Sequence, residues 1–303
     1  MIITRHAGGR INITMNMRKI AFIGAGRMGK PMIRNLLKLG FEVHVFARQL
    51  LKVYDIISNG AKFHSTINDC LKDCDVTITM LGLPKDVEEV YFMTGGVLDS
   101  AKRDSCVIDM TTTSPSLSKL LYDEGRKRGL HVLDAPVSGG VSSAKNATLS
   151  IMVGGNEDDF KDCLPLFRAM GTNITYMGKA GNGQHAKLAN QIMMAGALAG
   201  VCEAMTYARH QNLNMMKFLR AVSTGGAGSK QLDINAPKIL DRDFTAGFAI
   251  KHCVKDLLLA IDEANQENLN LDVLVTVMSH FQKLEADGQG EKGTQSLIKY
   301  YGG

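Results

Sequence analysis

Residues 19–46 read KIAFIGAGRMGKPMIRNLLKLGFEVHVF, and the fold is decided there. A short apolar run gives way to a Gly-rich turn, then to apolar residues at helical spacing, then to the alternating run FEVHVF. Strand, turn, amphipathic helix and second strand make one βαβ unit. Inside it GAGRMG, residues 24–29, is a G-x-G-x-x-G directly after a strand and directly before a helix, the context in which this motif indicates a dinucleotide. Gly24 permits the tight turn, Gly26 lets the backbone approach a pyrophosphate and Gly29 allows close helix–strand packing. Ala25, Arg27 and Met28 complete the loop at the helix N-terminus, where unpaired N–H groups and the positive dipole favour an anion. The plain alternative is a Gly-rich turn that holds nothing. Gly24, Gly29 and Lys30 also fit a triphosphate loop, but Pro31 stands where that loop needs a hydroxyl, so this second reading fails.

Further along, strands are expected at Val76 to Met80, Cys106 to Asp109, His131 to Ala135, Leu149 to Val153 and Ile174 to Met177, with helices at Pro115 to Arg128 and Glu157 to Ala169. After GKAGNG (178–183) nothing strand-like follows. The expected fold is α/β: a doubly wound Rossmann-type parallel sheet over 18–180, then an all-α C-terminal domain over 212–303 that serves substrate binding and oligomerisation, joined by a long helix over 181–211. That helix, Gln184 to about Gln211, spans roughly 42 Å. Its middle, IMMAGALAGVCEAM, is apolar on nearly every face, which predicts burial on all sides, against a second domain or a second subunit of a homodimer or homotetramer. Residues 1–17 read as an extension outside the fold.

A chain of 303 residues suits two domains, and 45% apolar with 21% charged residues excludes a disordered chain. The longest apolar run, Ile192 to Cys202, stops at Gln191 and Glu203, well short of the roughly 20 residues of a membrane span, so a soluble, cytoplasmic protein is expected. Six cysteines without a CxxC pair, and without histidines at zinc-finger spacing, argue against a metal site or a disulfide scaffold and for reduced core thiols. The net charge of +5 is concentrated: residues 1–41 hold eight basic and no acidic side chains. Without interleaved aromatics this suits a small anionic ligand better than nucleic acid.

The end of the second strand selects the cofactor, because an acid there would bind a ribose hydroxyl and an arginine a 2′-phosphate. Arg48 stands there with no acid before Asp55, which favours NADP and leaves NAD possible; the alternative is an exposed arginine without a ligand. Three segments carry candidate chemistry. DAPVSGG (134–140) follows a strand at the sheet's carboxyl edge, where Ser138, Gly139 and Gly140 are placed to hold a carboxylate or simply to form a turn. GNGQHAKLANQ (181–191) opens the long helix. Lys187 enters an apolar stretch with Asn190 and Gln191 at i+3 and i+4, as an acid/base group or as a lysine snorkelling to solvent. KHCVKDLLLA (251–260) is an amphipathic helix whose Lys255 either reaches a ligand or belongs to a solvated face.

These three, in this order with GAGRMGKPM (24–32), resemble the β-hydroxyacid dehydrogenase family over essentially the whole chain after Met17. The resemblance implies an NAD(P)-dependent oxidoreductase that interconverts a short β-hydroxyacid and its semialdehyde, of 3-hydroxyisobutyrate, glycerate or 4-hydroxybutyrate type. It implies that Lys187 is the catalytic lysine, that Ser138, Gly139 and Gly140 clamp the substrate carboxylate, and that Lys255 lies near nicotinamide and substrate. It also implies cofactor contacts at Thr112, at the Leu83–Pro84 turn and at Glu88. The chain departs from the pattern where Gln191 replaces a frequent asparagine, so Asn190 and Gln191 are both substrate-orienting candidates. Lys230 in GGAGSK (225–230) stands where members often have an uncharged residue; it either meets a second carboxylate or is a surface lysine. A decarboxylating 6-phosphogluconate-type enzyme would be expected to continue into a further helical domain beyond Gly303, and a noncatalytic sensor or scaffold need not keep Lys187, Ser138 and Lys255 together. An imine reductase would be expected to lack a lysine at 187.

Overall fold

The computed structural model describes residues 18–303, so the expected extension over 1–17 lies outside the described residues. The chain divides into two compact units, one ending at Lys187 and the other beginning at Leu188.

The first unit is built on a nine-stranded sheet. Its strands are β1 (Lys19–Ile23), β2 (Glu42–Phe46), β3 (Lys62–His64), β4 (Val76–Thr79), β5 (Cys106–Asp109), β6 (His131–Asp134), β7 (Val137–Ser138), β8 (Leu149–Gly155) and β9 (Gly171–Gly178). The order is β3-β2-β1-β4-β5-β6-β8-β7, with β9 paired to β8. Strands β1 to β6 pair in parallel, and the order reverses between β1 and β4, which makes the crevice beyond their carboxyl ends the ligand site of such a sheet. Beyond β6 the pattern changes, since β8 runs antiparallel to both β6 and β7.

Both faces of the sheet are covered, and β1 shows why its sequence is apolar without a break from Ile20 to Ile23. Ile20 and Phe22 point into one core with Met32, Leu36, Ile78 and Ile108, while Ala21 and Ile23 point into another with Val87, Tyr91, Val107 and Leu121. Helix Gly29–Lys38 buries Met32, Ile33 and Leu36, one side of its turn pattern, against the first of these cores.

The second unit is helical: Met215–Val222, Lys230–Leu240, Ile250–Gln266 and Asp272–Leu284, with a closing 3-10 segment at Thr294–Tyr301. Its core joins Leu198, Cys202 and Met205 to Cys253, Leu257, Phe281 and Leu297. The long helix runs Asn182–His210. It is not buried all round within the chain. Ala189, Met193 (75% exposed), Gly200, Ala204 and Tyr207 (67%) follow one another at helical spacing as an open apolar stripe. By length and composition this helix is also long and apolar enough to cross a membrane, although no uninterrupted run in it is. All six cysteines are buried free thiols, and burial pushes the Cys74 thiol up to about 12.

Candidate active site

The phosphate loop is shaped by what its glycines exclude. Gly24 has φ +101, and a Cβ there would run into the carbonyl of Met80; one on Gly29 would strike the carbonyl oxygen of Gly24. Around Gly26, by contrast, a Cβ would meet no atom within 4 Å. Two positions are therefore closed by the protein, and the third is left open on the ligand side. That is the cradle a dinucleotide pyrophosphate needs. Gly26 N–H donates to Gly24 O (2.9 Å) and Lys30 N–H to Gly26 O (3.0 Å), which carries the turn into the helix. Arg27 is exposed beside it, and Met28 and Ala25 are half-buried. Just after β2, Arg48 is exposed and makes no ion pair among the described residues. A cavity of about 520 Å³ lies at this end of the sheet, lined by Phe46, Thr66 and Met93 among others; none of the residues expected to do chemistry lines it.

The neighbouring strand ends carry the other cofactor candidates. Leu83 caps helix Pro84–Phe92, its N–H donating to Asp86 Oδ2 (3.0 Å), and Glu88 is exposed one turn later. Leu81 N–H donates to Thr111 Oγ1 (2.9 Å), which ties this turn to the loop of Thr112.

Between them, at the end of β5, is a residue that sequence reasoning passed over. Asp109 is buried; Thr79 Oγ1 (2.8 Å) and Thr111 N–H (3.0 Å) both donate to its Oδ1, and its Oδ2 has no hydrogen-bond partner. Burial pushes its carboxyl up to about 6, helped by the charge of Asp134 on the next strand. A carboxyl with a raised folded-state pKa contributes stability in full below its unfolded value of 3.8, and loses it as pH rises through about 6. Asp109→Asn removes this dependence, so from pH 4 to pH 8 the variant should gain about 2 kcal/mol on the parent. Parallel denaturation midpoints for both proteins across that range would contradict the assignment.

The substrate-clamp candidates also lie on the first unit. Ser138 ends β7, a strand paired with β8, so the stretch is not merely a turn; Gly139 and Gly140 lead into the short helix Gly140–Lys145. Lys187 is 6% exposed, on the second turn of the long helix.

On the second unit, Gln191 is buried with both ends of its amide engaged: Nε2 donates to Asp256 Oδ2 (2.6 Å), and Oε1 accepts from Asn190 Nδ2 (2.8 Å). Lys255 Nζ pairs with Asp256 Oδ1 at 2.7 Å. Asp256 thus holds two of the expected substrate residues at once. Nothing in the sequence marks it, because it reads as one more charge beside Lys255. Lys230 is exposed at the first position of helix Lys230–Leu240, with Ser229 as its cap. On the same helix as Lys255, His252 has its pKa lowered by burial and then by Lys255 and Lys251, which keeps the imidazole neutral near pH 7.

Two family models match. Residues 19–178 fit the NAD binding domain of 6-phosphogluconate dehydrogenase, and residues 181–301 fit the NAD-binding domain of NADP-dependent 3-hydroxyisobutyrate dehydrogenase. The chain belongs to the β-hydroxyacid dehydrogenase family. It is an NAD(P)-dependent oxidoreductase that acts on CH–OH groups. Among its relatives, probable 3-hydroxyisobutyrate dehydrogenase-like 1, mitochondrial, of Arabidopsis thaliana is 40% identical over 94% of this chain and 86% of that protein. The 2-hydroxy-3-oxopropionate reductase of Escherichia coli (strain K12) is 35% identical over 93% and 96%. The structure of Mycobacterium tuberculosis 3-hydroxyisobutyrate dehydrogenase with L-serine superposes with a TM-score of 0.86 at 28% identity, covering 93% of this chain and 98% of that one. As a member of the β-hydroxyacid dehydrogenase family the chain takes a nicotinamide dinucleotide, and the Gly24–Gly29 cradle fits one.

Proposed function

We propose that this dehydrogenase reversibly oxidises a short β-hydroxyacid to its semialdehyde, with Lys187 moving the hydroxyl proton. The reading is carried by Lys187 itself: a buried lysine near the start of the long helix, in the family's motif position. When bound, the nicotinamide supplies or accepts the hydride. In the reducing direction Lys187 gives a proton to the carbonyl oxygen, and its charge stabilises the alkoxide as it develops. In the oxidising direction the neutral amine takes the proton back. Ser138, with the backbone at Gly139 and Gly140, holds the carboxylate, and Asn190, Gln191 and Lys255 orient the substrate. The compounds named for the relatives support the class: 3-hydroxyisobutyrate, the reduction product of 2-hydroxy-3-oxopropionate and L-serine all carry a hydroxyl on the carbon β to a carboxylate.

The finer reading favours NADP, because Arg48 is exposed without an ion pair among the described residues, and so open to a 2′-phosphate. Lys230 puts a cation at the positive end of a helix, against the dipole, and a second carboxylate would offset that arrangement. The free buried thiols suit a cytoplasmic protein, and the open stripe on the long helix suits a homodimer or homotetramer.

A panel of hydroxyacids (3-hydroxyisobutyrate, glycerate, L-serine, 4-hydroxybutyrate) and their aldehyde acids, assayed with both cofactors, tests the reading. Turnover of at least one pair with NADPH preferred is expected. Arg48→Ala should raise the KM for NADPH about tenfold or more, the worth of a charged hydrogen bond, and leave NADH unchanged. Lys230→Ala should raise KM on an aldehyde acid that carries a second carboxylate and leave KM on methylmalonate semialdehyde unchanged. No turnover across the panel would overturn the proposal; an equal response of the two cofactors to Arg48→Ala would overturn the NADP preference alone.

A further inference from the structure

The helix that bears Lys187 is anchored by side chains to which the function above gives no role. Asp134, the last residue of β6, accepts hydrogen bonds from Gly181 N–H (Oδ1, 2.8 Å) and Gln184 N–H (Oδ2, 3.0 Å), the open amides where the helix begins. The cap therefore comes from a strand 47 residues upstream rather than from the residue before the helix. Asp134 is buried, which raises its carboxyl pKa, and the amides of the helix start pull the other way. Space for this carboxylate is cleared by two glycines. A Cβ on Gly154 would lie 2.5 Å from Oδ1, and one on Gly183 would lie 2.7 Å from Oδ2.

Gln184 follows on the same turn, with its side chain fully buried. Its Oε1 accepts from Thr113 N–H (3.0 Å), and its Nε2 donates to Thr111 O (2.8 Å). One amide thus grips the backbone on both sides of Thr112, the expected cofactor contact, three residues before Lys187 on the same face of the helix. Neither partner is exchangeable with water at this depth, so the pair fixes a distance that a flexible contact would not.

We propose that Gln184 is a positioning residue: it sets the register between the cofactor loop 111–113 and the catalytic lysine, with Asp134 locking the same turn to the strand that leads to Ser138. This rests on the reading of Lys187 as the acid/base group. Misplacing a proton donor by about 1 Å costs on the order of 100-fold, so Gln184→Met, which keeps the volume and loses both hydrogen bonds, should lower kcat about 10- to 100-fold with NADPH affinity within about twofold. Gln184→Glu supplies the sharper readout. As a carboxylate it still accepts from Thr113 N–H but turns an unprotonated oxygen to Thr111 O; once protonated, it restores both bonds.

The experiment measures kcat against pH, NADPH affinity and the primary isotope effect with 4-deuterated NADPH, for both variants and for Lys187→Met, using the aldehyde acid turned over fastest in the panel. For Gln184→Glu, kcat should recover as pH falls, an acid-side rise absent from the parent and from Gln184→Met. The isotope effect should be larger in Gln184→Met than in the parent, because hydride transfer becomes rate-limiting. A role in folding alone would lower the melting temperature and leave both readouts unchanged. Should Gln184→Met fail to fold, the pH-dependent recovery of Gln184→Glu decides. Parental pH profile and isotope effect in the variants, with Lys187→Met inactive, overturn the positioning role alone; full activity in Lys187→Met overturns the reading of the lysine on which it rests.

Discussion

Lys187→Met is expected to lower kcat by about 10²- to 10⁴-fold, the usual contribution of a placed acid/base group, while NADPH still binds with near-parental affinity. Methionine suits this test because its unbranched chain refills a site that is 6% exposed in the parent, so the packing of the helix start is kept and only the ammonium is lost. The phosphate loop at 24–29 and Arg48 lie more than 130 residues earlier in the chain, on other strand ends, and bind the cofactor without the lysine. The loss should therefore fall on kcat, with KM for NADPH little changed: the signature of an interaction made in the transition state. In Lys187→Gly, added small primary amines should restore part of the rate, because they return the proton donor without the tether. Undiminished kcat in Lys187→Met, or an equal loss of cofactor affinity, would remove the lysine from the chemistry.

What the sequence disclosed follows how local each signal is. The stretch from β1 to β2 was legible because strand alternation, glycine turn and helical spacing are written within 28 consecutive residues, and the structure closes Gly24 and Gly29 and opens Gly26 as the motif implies. The antiparallel return of β8 onto β6 and β7 was not legible, since a five-residue apolar run reads the same in either direction. Asp134 and Gln184 stood inside quoted motifs yet showed nothing of their work, because their partners lie 47 to 73 residues away. Asp109 and Asp256 were hidden too, since the partners that mark them, Thr79 and Gln191, lie 30 and 65 residues away. A buried carboxylate is spelled like an exposed one, and only the fold shows which neighbours satisfy it. The long helix is a different case: its all-round apolarity predicts burial against a second domain or a second subunit, and the stripe through Met193, Gly200 and Tyr207 is exposed in the single chain.

Two substitutions two residues apart should separate folding from binding at the phosphate loop. Gly24→Ala asks an L-residue to hold φ +101 and drives its methyl into the Met80 carbonyl. That carbonyl is not free to retreat, since the Met80 N–H donates to Ile23 O (2.9 Å), which fixes the end of β4 against β1. Backbone strain of about 1–3 kcal/mol adds to overpacking of about 1–3 kcal/mol, so a loss of about 4 kcal/mol and a melting temperature lower by about 10 °C are expected. Gly26→Ala meets no protein atom within 4 Å, so its melting temperature should match the parent's. Its methyl instead fills the space the pyrophosphate must enter, and NADPH affinity should fall at least tenfold. Thermal denaturation and NADPH fluorescence titration on the two variants check both halves. A Gly24→Ala protein that melts like the parent would refute the steric argument, and a Gly26→Ala protein that binds NADPH like the parent would show that the dinucleotide does not approach the backbone there.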